Sequence, residues 1–396
     1  MPIINVQLCV RRGGSQGLAI PTLVESPIDP HELAPGQILL RVEKFGFSAN
    51  NITYGVLGDD PYFRYYEFYP APTTALTSPE THGIIPVWGF GTVIHSAHPT
   101  VKIGQRLYGY LAMSRYLILQ LDPQTNQYHV NIALGDFPKD RRPYKQLNIC
   151  ENDPMYRPDR EDETMLYRPL FWTAYWFEDY LNEHKYRGAK NILISSASSK
   201  TAFALAYNIG VRKNHSRGSL DVNVVGLTSA LNAPFTRGLN LYDSVLTYDD
   251  IPTLGSTGSW IYVDVSSSPS LMTKIEHQLA PILTITLGST TPNEQNAKNL
   301  WSNNHKAANH EGFFVPEWLA IRVKQLTIPQ ITSMQSTAWN GLMENCTSWV
   351  SMDRSSGGQE VLEAYKKTLE GRIGPDKGQI FTLWDSPTDF RSPSKL

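Results

Sequence analysis

From residue 168 to 340 the chain alternates short apolar runs with amphipathic segments, and this rhythm constrains the fold more than any other feature. Asn191-Ile192-Leu193-Ile194 reads as a buried strand. In the next segment Ala202, Leu205, Ala206 and Ile209 stand at i, i+3, i+4 and i+7, one face of a helix. Further strand-like runs follow at Asn223-Val224-Val225-Gly226-Leu227, at Trp260 to Val265 and at Ile282 to Leu287, with another expected at Gly312-Phe313-Phe314-Val315. Phe171 to Leu181 has helical character. Buried strands separated by helices require crossover connections and therefore a parallel sheet covered on both faces.

The residues before this stretch follow a different rule. Gln37 to Val42 after the Pro35-Gly36 turn, Ile85 to Ile94, and Lys102 to Gly109 are strand-like runs broken by Pro and Gly, the spacing of an all-β, barrel-like unit. Residues 150–164 hold six acidic side chains and two prolines and read as a solvated connection. After the alternating stretch come a helical segment, Gln359 to Leu369, and a strand-like one, Gln379 to Leu383, which is expected to return to the N-terminal β-unit. The expected organisation is a β-rich domain of residues 1–165 completed by 341–396, and a nucleotide-binding-type domain of 166–340.

Composition narrows the function classes. A hydrophobic fraction of 41% and a charged fraction of 18% suit packed cores rather than disorder. A formal net charge of −2 gives no global attraction to nucleic acid or to an anionic membrane. Cys9, Cys150 and Cys346 are too few for a four-thiolate zinc site and too scattered for a disulfide framework. The opening residues lack a signal-peptide pattern and no apolar run approaches membrane-spanning length, so the expected location is cytoplasmic. H-E-x-x-H and C-x-x-C are missing, which leaves metalloprotease chemistry without a motif. No metal is expected.

The order of parts resembles the medium-chain dehydrogenase/reductase superfamily, in its zinc-free quinone-reductase and enoyl-reductase branch. Gly36 to Glu43 looks like the early strand of that superfamily's first domain, and Phe47 to Ile52 sits where it has a G-x-N-x-x-D turn. Val101 to Gly109 is similar to its v-x-G-D-r-V-y-G segment, and Thr173-Ala174-Tyr175 to a helix start. Asn223 to Thr228 with Asn232, and Tyr242 to Val245, are similar to the second strand of its nucleotide domain and the element after it. The chain is closest to a related family that carries an S-S-A-S-S-K-T-A loop. The resemblance implies an α/β fold, with a GroES-like β-barrel domain beside a Rossmann-type doubly wound parallel sheet. It also implies NADPH as cofactor, a small hydrophobic or aromatic substrate, and a homodimer.

The loop after the first strand of the alternating stretch departs from the family. Relatives carry glycines there to admit a pyrophosphate; here the residues are Ser195-Ser196-Ala197-Ser198-Ser199-Lys200-Thr201-Ala202. Either the hydroxyls of Ser196, Ser198, Ser199 and Thr201, with Lys200, hold the phosphates in place of glycine, or the loop is a well-capped turn whose nucleotide site has decayed. A P-loop is excluded, because Ile194 and Ser199 stand where it needs glycine. The second strand ends in Thr228 and Ser229, with Asn232 close by, rather than in the acidic residue of NAD-specific sites, which favours NADPH over NADH. Tyr248 joins this cofactor set.

Residues 61–72 carry six aromatics within eight positions. The resemblance makes this run a wall of the substrate cleft that can supply a proton donor; the other reading is aromatic packing. Asn50, Asn51, Tyr54 and Tyr62 are the candidate donors to a developing oxyanion, and Tyr65, Tyr108, Tyr110 and Phe314 the candidate cleft residues. The leading expectation is a zinc-independent, NADPH-dependent reductase of an enone, quinone or polyketide-like carbonyl. Two alternatives stay open: the same fold running a cofactor-independent lyase, isomerase or C–C cleavage step, and a non-catalytic binding module.

Overall fold

The computed structural model describes residues 2–135, 137, 142–215, 220–255, 258–287 and 309–386. The chain forms two compact units, Met1–Leu166 with Ser351–Leu396, and Tyr167–Val350.

The first unit opens with β1 (Ile3–Arg11), β2 (Pro21–Ile28), β3 (Gln37–Phe47), β4 (His82–Gly83), β5 (Pro86–Ser96), β6 (Arg106–Ala112), β7 (Tyr116–Gln120), β8 (His129–Asn131) and β9 (Gln146–Ile149). The second holds β10 (Asn191–Ser195), β11 (Asn223–Thr228), β12 (Ser244–Thr247), β13 (Trp260–Asp264), β14 (Leu283–Thr286) and β15 (His310–Gly312). The chain then returns to the first unit as β16 (Ser351–Ser356) and β17 (Lys377–Thr382).

All pairings in the second unit are parallel, in the order β12-β11-β10-β13-β14-β15. Counted within the sheet this is 3-2-1-4-5-6, the Rossmann order, with its switch point beside β10. Alternation along the strands separates two cores. Ile192, Ile194, Val224, Ile261 and Val263 pack with Ala174, Phe177, Leu181, Leu205 and Ile209 of helices Glu161–Glu183 and Lys200–His215. Leu193, Val225 and Tyr262 face the other way, onto Leu271, Met272 and Ile275 of helix Pro269–Leu279. Each such aliphatic side chain contributes about 1.5–3 kcal/mol of transfer free energy, so both faces must be covered for the sheet to persist.

In the first unit an eight-stranded sheet runs β16-β17-β3-β5-β6-β9-β8, with β7 also on β3, and a three-stranded sheet runs β2-β1-β4. The tail strand does return: β17 pairs antiparallel with β3, Gln379 opposite Phe47. The fold class is the expected one, a GroES-like β-unit and a Rossmann-type sheet.

Four local expectations are corrected. Residues 161–164 are no solvated connection; they form the first turn of helix Glu161–Glu183, with Glu161, Asp162 and Thr164 buried. Their acidity reflects partners, since Glu161 bonds Arg106 and Asp162 bonds Lys44 and Arg354. The strand expected at 312–315 lies earlier, at His310–Gly312, because Phe314 caps a helix beginning at Val315 with Pro316 in its first turn. The run from Lys102 enters the sheet only at Arg106, after a turn in which Gly104 takes φ 90°. The helix expected at 171–181 is ten residues longer at its start, with Pro169 inside it.

Candidate functional site

In the second unit the serine loop joins β10 to helix Lys200–His215. Ser196 takes φ 48°, the left-handed conformation for which glycine is the usual residue. The turn therefore keeps the backbone a glycine would provide. Ala197 is held on both sides: its N–H donates to Leu227 O at 3.0 Å, and Tyr242 Oη donates to its carbonyl at 2.8 Å. The glycine that permits this sits on the neighbouring strand. A Cβ on Gly226 would lie 2.9 Å from the Tyr242 ring and 3.0 Å from Ala197 Cβ. Ser199 Oγ accepts from Ala202 N at 3.4 Å, capping the helix.

Beyond the loop, Thr228 Oγ1 donates to Ser198 Oγ at 3.3 Å, and Asn232 Nδ2 donates to the same oxygen at 3.2 Å. Ser229 Oγ accepts from Asn232 N at 3.3 Å. The expected residues Ser198, Thr228, Ser229 and Asn232 thus converge at the carboxyl ends of β10 and β11, above a helix N-terminus, where anions bind in open α/β sheets. Lys200 and Thr201 form the first helical positions, with Lys200 half-buried. Tyr248 directly follows β12, whose Thr247 pairs with Thr228, and packs against the core cluster that includes Leu227 and Ile251. Phe314 is half-buried ahead of helix Val315–Gln325.

One polar centre had not been expected. Asp264 ends β13 and is fully buried. Its Oδ1 accepts from Ser195 Oγ at 2.9 Å, Tyr262 Oη at 3.1 Å, Ser266 N at 2.9 Å, Ser266 Oγ at 2.7 Å and Ser267 N at 3.1 Å. Ser195 Oγ in turn accepts from Val265 N and Ser266 N. The available signal was a carboxylate closing the apolar run Trp260 to Val263 and followed, after Val265, by three serines.

The first unit gathers the other expected residues around an aromatic cluster. Asn50 and Tyr54 lie four apart on helix Ala49–Val56, one turn, and Asn50 Nδ2 donates to Tyr54 Oη at 2.8 Å. The Tyr54 ring lies 4.8 Å from Tyr65 and 5.4 Å from Tyr110 by centroid, and Tyr110 lies 4.7 Å from Tyr144. Tyr108 continues the cluster against Phe90 and Trp88. Burial pushes the Tyr54 phenol well above its ordinary range, so it keeps its proton. Asn51 is engaged differently: its Oδ1 accepts from Ser48 N, closing a capping box, and its Nδ2 donates to Pro86 O. Its amide therefore serves the backbone. Tyr62 is 50% exposed, edge-on to Phe63.

The aromatic run at 61–72 packs chiefly inward. Phe63, Tyr65, Tyr66, Phe68 and Tyr69 are buried. Tyr66 fills a slot between two glycines, since a Cβ on Gly58 or Gly83 would lie 2.2 or 2.3 Å from its ring. Its Oη donates to Gly55 O at 2.9 Å.

The family described as "Protein of unknown function (DUF2855)" matches residues 45–374. The chain belongs to that family. No curated protein matches it in sequence. Its fold is shared with solved structures of low identity. CurA from Vibrio vulnificus, in complex with NADPH, aligns over 96% of this chain and 99% of its own at 13% identity and TM-score 0.56. The complex of Etr1p with NADP and crotonyl-CoA aligns over 96% and 100% at 14% identity and TM-score 0.58. The mitochondrial 2-enoyl thioester reductase Etr1p/Etr2p heterodimer from Candida tropicalis covers the same shares at 14% identity and TM-score 0.54. A Rossmann-type parallel sheet with a separate β-rich unit is therefore the fold common to all. Among the described residues, no group of three or more His, Cys, Asp and Glu side chains could hold a metal, and no helix is long and apolar enough to cross a membrane.

Proposed function

We propose that this protein is an NADPH-dependent reductase of a conjugated carbonyl that works without a metal. The observation that carries the reading is the hydroxyl cluster of Ser198, Thr228 and Asn232 at the carboxyl ends of β10 and β11. What a glycine loop does for a dinucleotide is done here by other means. Ser196 supplies the left-handed turn, and Gly226 lets the loop lie close to the second strand. The residues present fit the cofactor. Ser198 would donate to a phosphate oxygen, and the first turn of helix Lys200–His215 would complement its charge. Thr228, Ser229 and Asn232 carry no charge, whereas an acidic side chain would repel a 2′-phosphate. The folds of NADPH- and NADP-bound reductases support the same reading.

When bound, the cofactor would supply a hydride. Adding it to a conjugated carbonyl places negative charge on the carbonyl oxygen. Tyr54 suits that charge as a donor. Its oxygen already accepts from Asn50, so its own O–H remains to be donated. Burial keeps the proton on it across the working pH range.

The test is a melting curve with and without NADPH, followed by nicotinamide oxidation with an enone, a quinone and a 2-enoyl thioester. Preferential binding to the native state should raise the melting temperature with NADPH, and less with NADH. No shift with either dinucleotide at millimolar concentration would overturn the reading. A shift without turnover, together with cofactor-free conversion of a β-hydroxyketone, would assign the fold to a non-redox step.

A further inference from the structure

Asp264 is unevenly used. Its Oδ1 takes five donors, while Oδ2, equally buried, takes none. A buried carboxylate oxygen without a donor is costly and calls for a missing partner. Ser198 is the reverse case. Its oxygen accepts from Thr228 and from Asn232, so its remaining capacity is its own hydrogen. The corner where β10 meets its neighbours thus offers one donor to a ligand's acceptor and one acceptor to a ligand's donor. Phosphates only accept. A second phosphate near Oδ2 would meet a carboxylate of like charge. A sugar hydroxyl supplies the donor that Oδ2 lacks.

Resting on the dinucleotide reading above, we propose that Asp264 binds a ribose hydroxyl on the nicotinamide side of the cofactor through Oδ2. The sheet order decides the side. β10 lies between β11 and β13. Ser198 is tied to Thr228, at the end of β11, which is the adenosine side of a dinucleotide laid across the switch point. Asp264 ends β13, on the opposite flank of β10. The backbone is committed to this arrangement: Ser267, which donates to Oδ1, takes φ 52°, and Ser196 in the facing loop takes φ 48°.

Binding is measured calorimetrically for the whole protein with three ligands: NADPH, an NADPH analogue lacking the hydroxyls of the nicotinamide ribose, and inorganic pyrophosphate. Wild type should hold NADPH about tenfold or more tighter than the analogue, the size of one charge-assisted hydrogen bond. Asp264→Asn should lose about that factor for NADPH and none for pyrophosphate, and should no longer distinguish NADPH from the analogue. Wild type that binds NADPH and its analogue alike overturns the role of Asp264, while the reductase reading stands. Wild type that binds no dinucleotide overturns both. The analogue arm uses the native protein, so it can overturn the proposal even if Asp264→Asn fails to fold.

Discussion

Two buried acidic centres, one in each unit, are built on opposite plans. In the β-unit, Glu43, Glu161 and Asp162 meet Arg41, Lys44, Arg106 and Arg354, and every carboxylate oxygen takes a donor. In the Rossmann-type unit, Asp264 crowds five donors onto one oxygen and leaves the other without any. The first arrangement leaves no carboxylate oxygen without a donor, and it ties Glu161 and Asp162 to β3, β6 and β16. The second is open at one atom and lies at the strand ends where this sheet order places ligands. A saturated network marks a structural joint. A nearly saturated one, buried and one partner short, marks a place prepared for a molecule from outside.

The comparison can be broken most easily at Arg106. Replacing it by methionine removes the donor to Glu43 Oε2 and the two-pronged partner of Glu161, leaving Glu43 to Arg41 and Thr92 and Glu161 to Lys44 and Tyr156. The expected loss is about 2–3 kcal/mol, that of hydrogen bonds to buried charged groups, read from the urea midpoint. Adding Glu43→Gln and Glu161→Gln to that variant should recover part of it. A loss below about 1 kcal/mol would mean that the network is no joint at all.

Acid sharpens the same contrast at smaller amplitude. Burial alone would raise Glu43 and Glu161, but the Arg106 guanidinium holds both below the ordinary carboxylate range. A depressed folded-state value contributes stability that is complete above the unfolded-state value, about 4.3, and is lost as pH falls through the folded one. Stability of the wild type should therefore decline steeply below about pH 4.3, while the Glu43→Gln/Glu161→Gln variant declines less. Equal slopes would remove these two groups from the acid response.

The smallest effects distinguish bonded from unbonded tyrosines. Tyr242→Phe removes the donor to Ala197 O and should cost about 1 kcal/mol, with weaker NADPH binding because the serine loop loses a support. Tyr110→Phe removes a buried hydroxyl that makes no hydrogen bond, so its stability should stay within about 0.5 kcal/mol of wild type. A larger loss at Tyr110 would show that its hydroxyl has a partner in solution.

The sequence by itself determined the architecture of the second unit. Alternating buried strands and helix faces admit little besides a parallel sheet covered on both sides, and Ile192, Leu193 and Ile194 already assign their faces by parity. It also located the hydroxyl cluster, because Ser198 and Thr228 follow strands whose ends converge in such a sheet. It misread residues 161–164, since a charge-rich segment looks the same whether its charges meet water or three basic side chains from β3, β6 and β16. It also passed over Asp264. Only the tertiary structure could decide how the two oxygens of that carboxylate are shared, because Ser195 and Asp264 are 69 positions apart in the chain and become neighbours through the pairing of β10 with β13. Which residues are apolar is a property of the chain; which polar atom is left one partner short is a property of the fold.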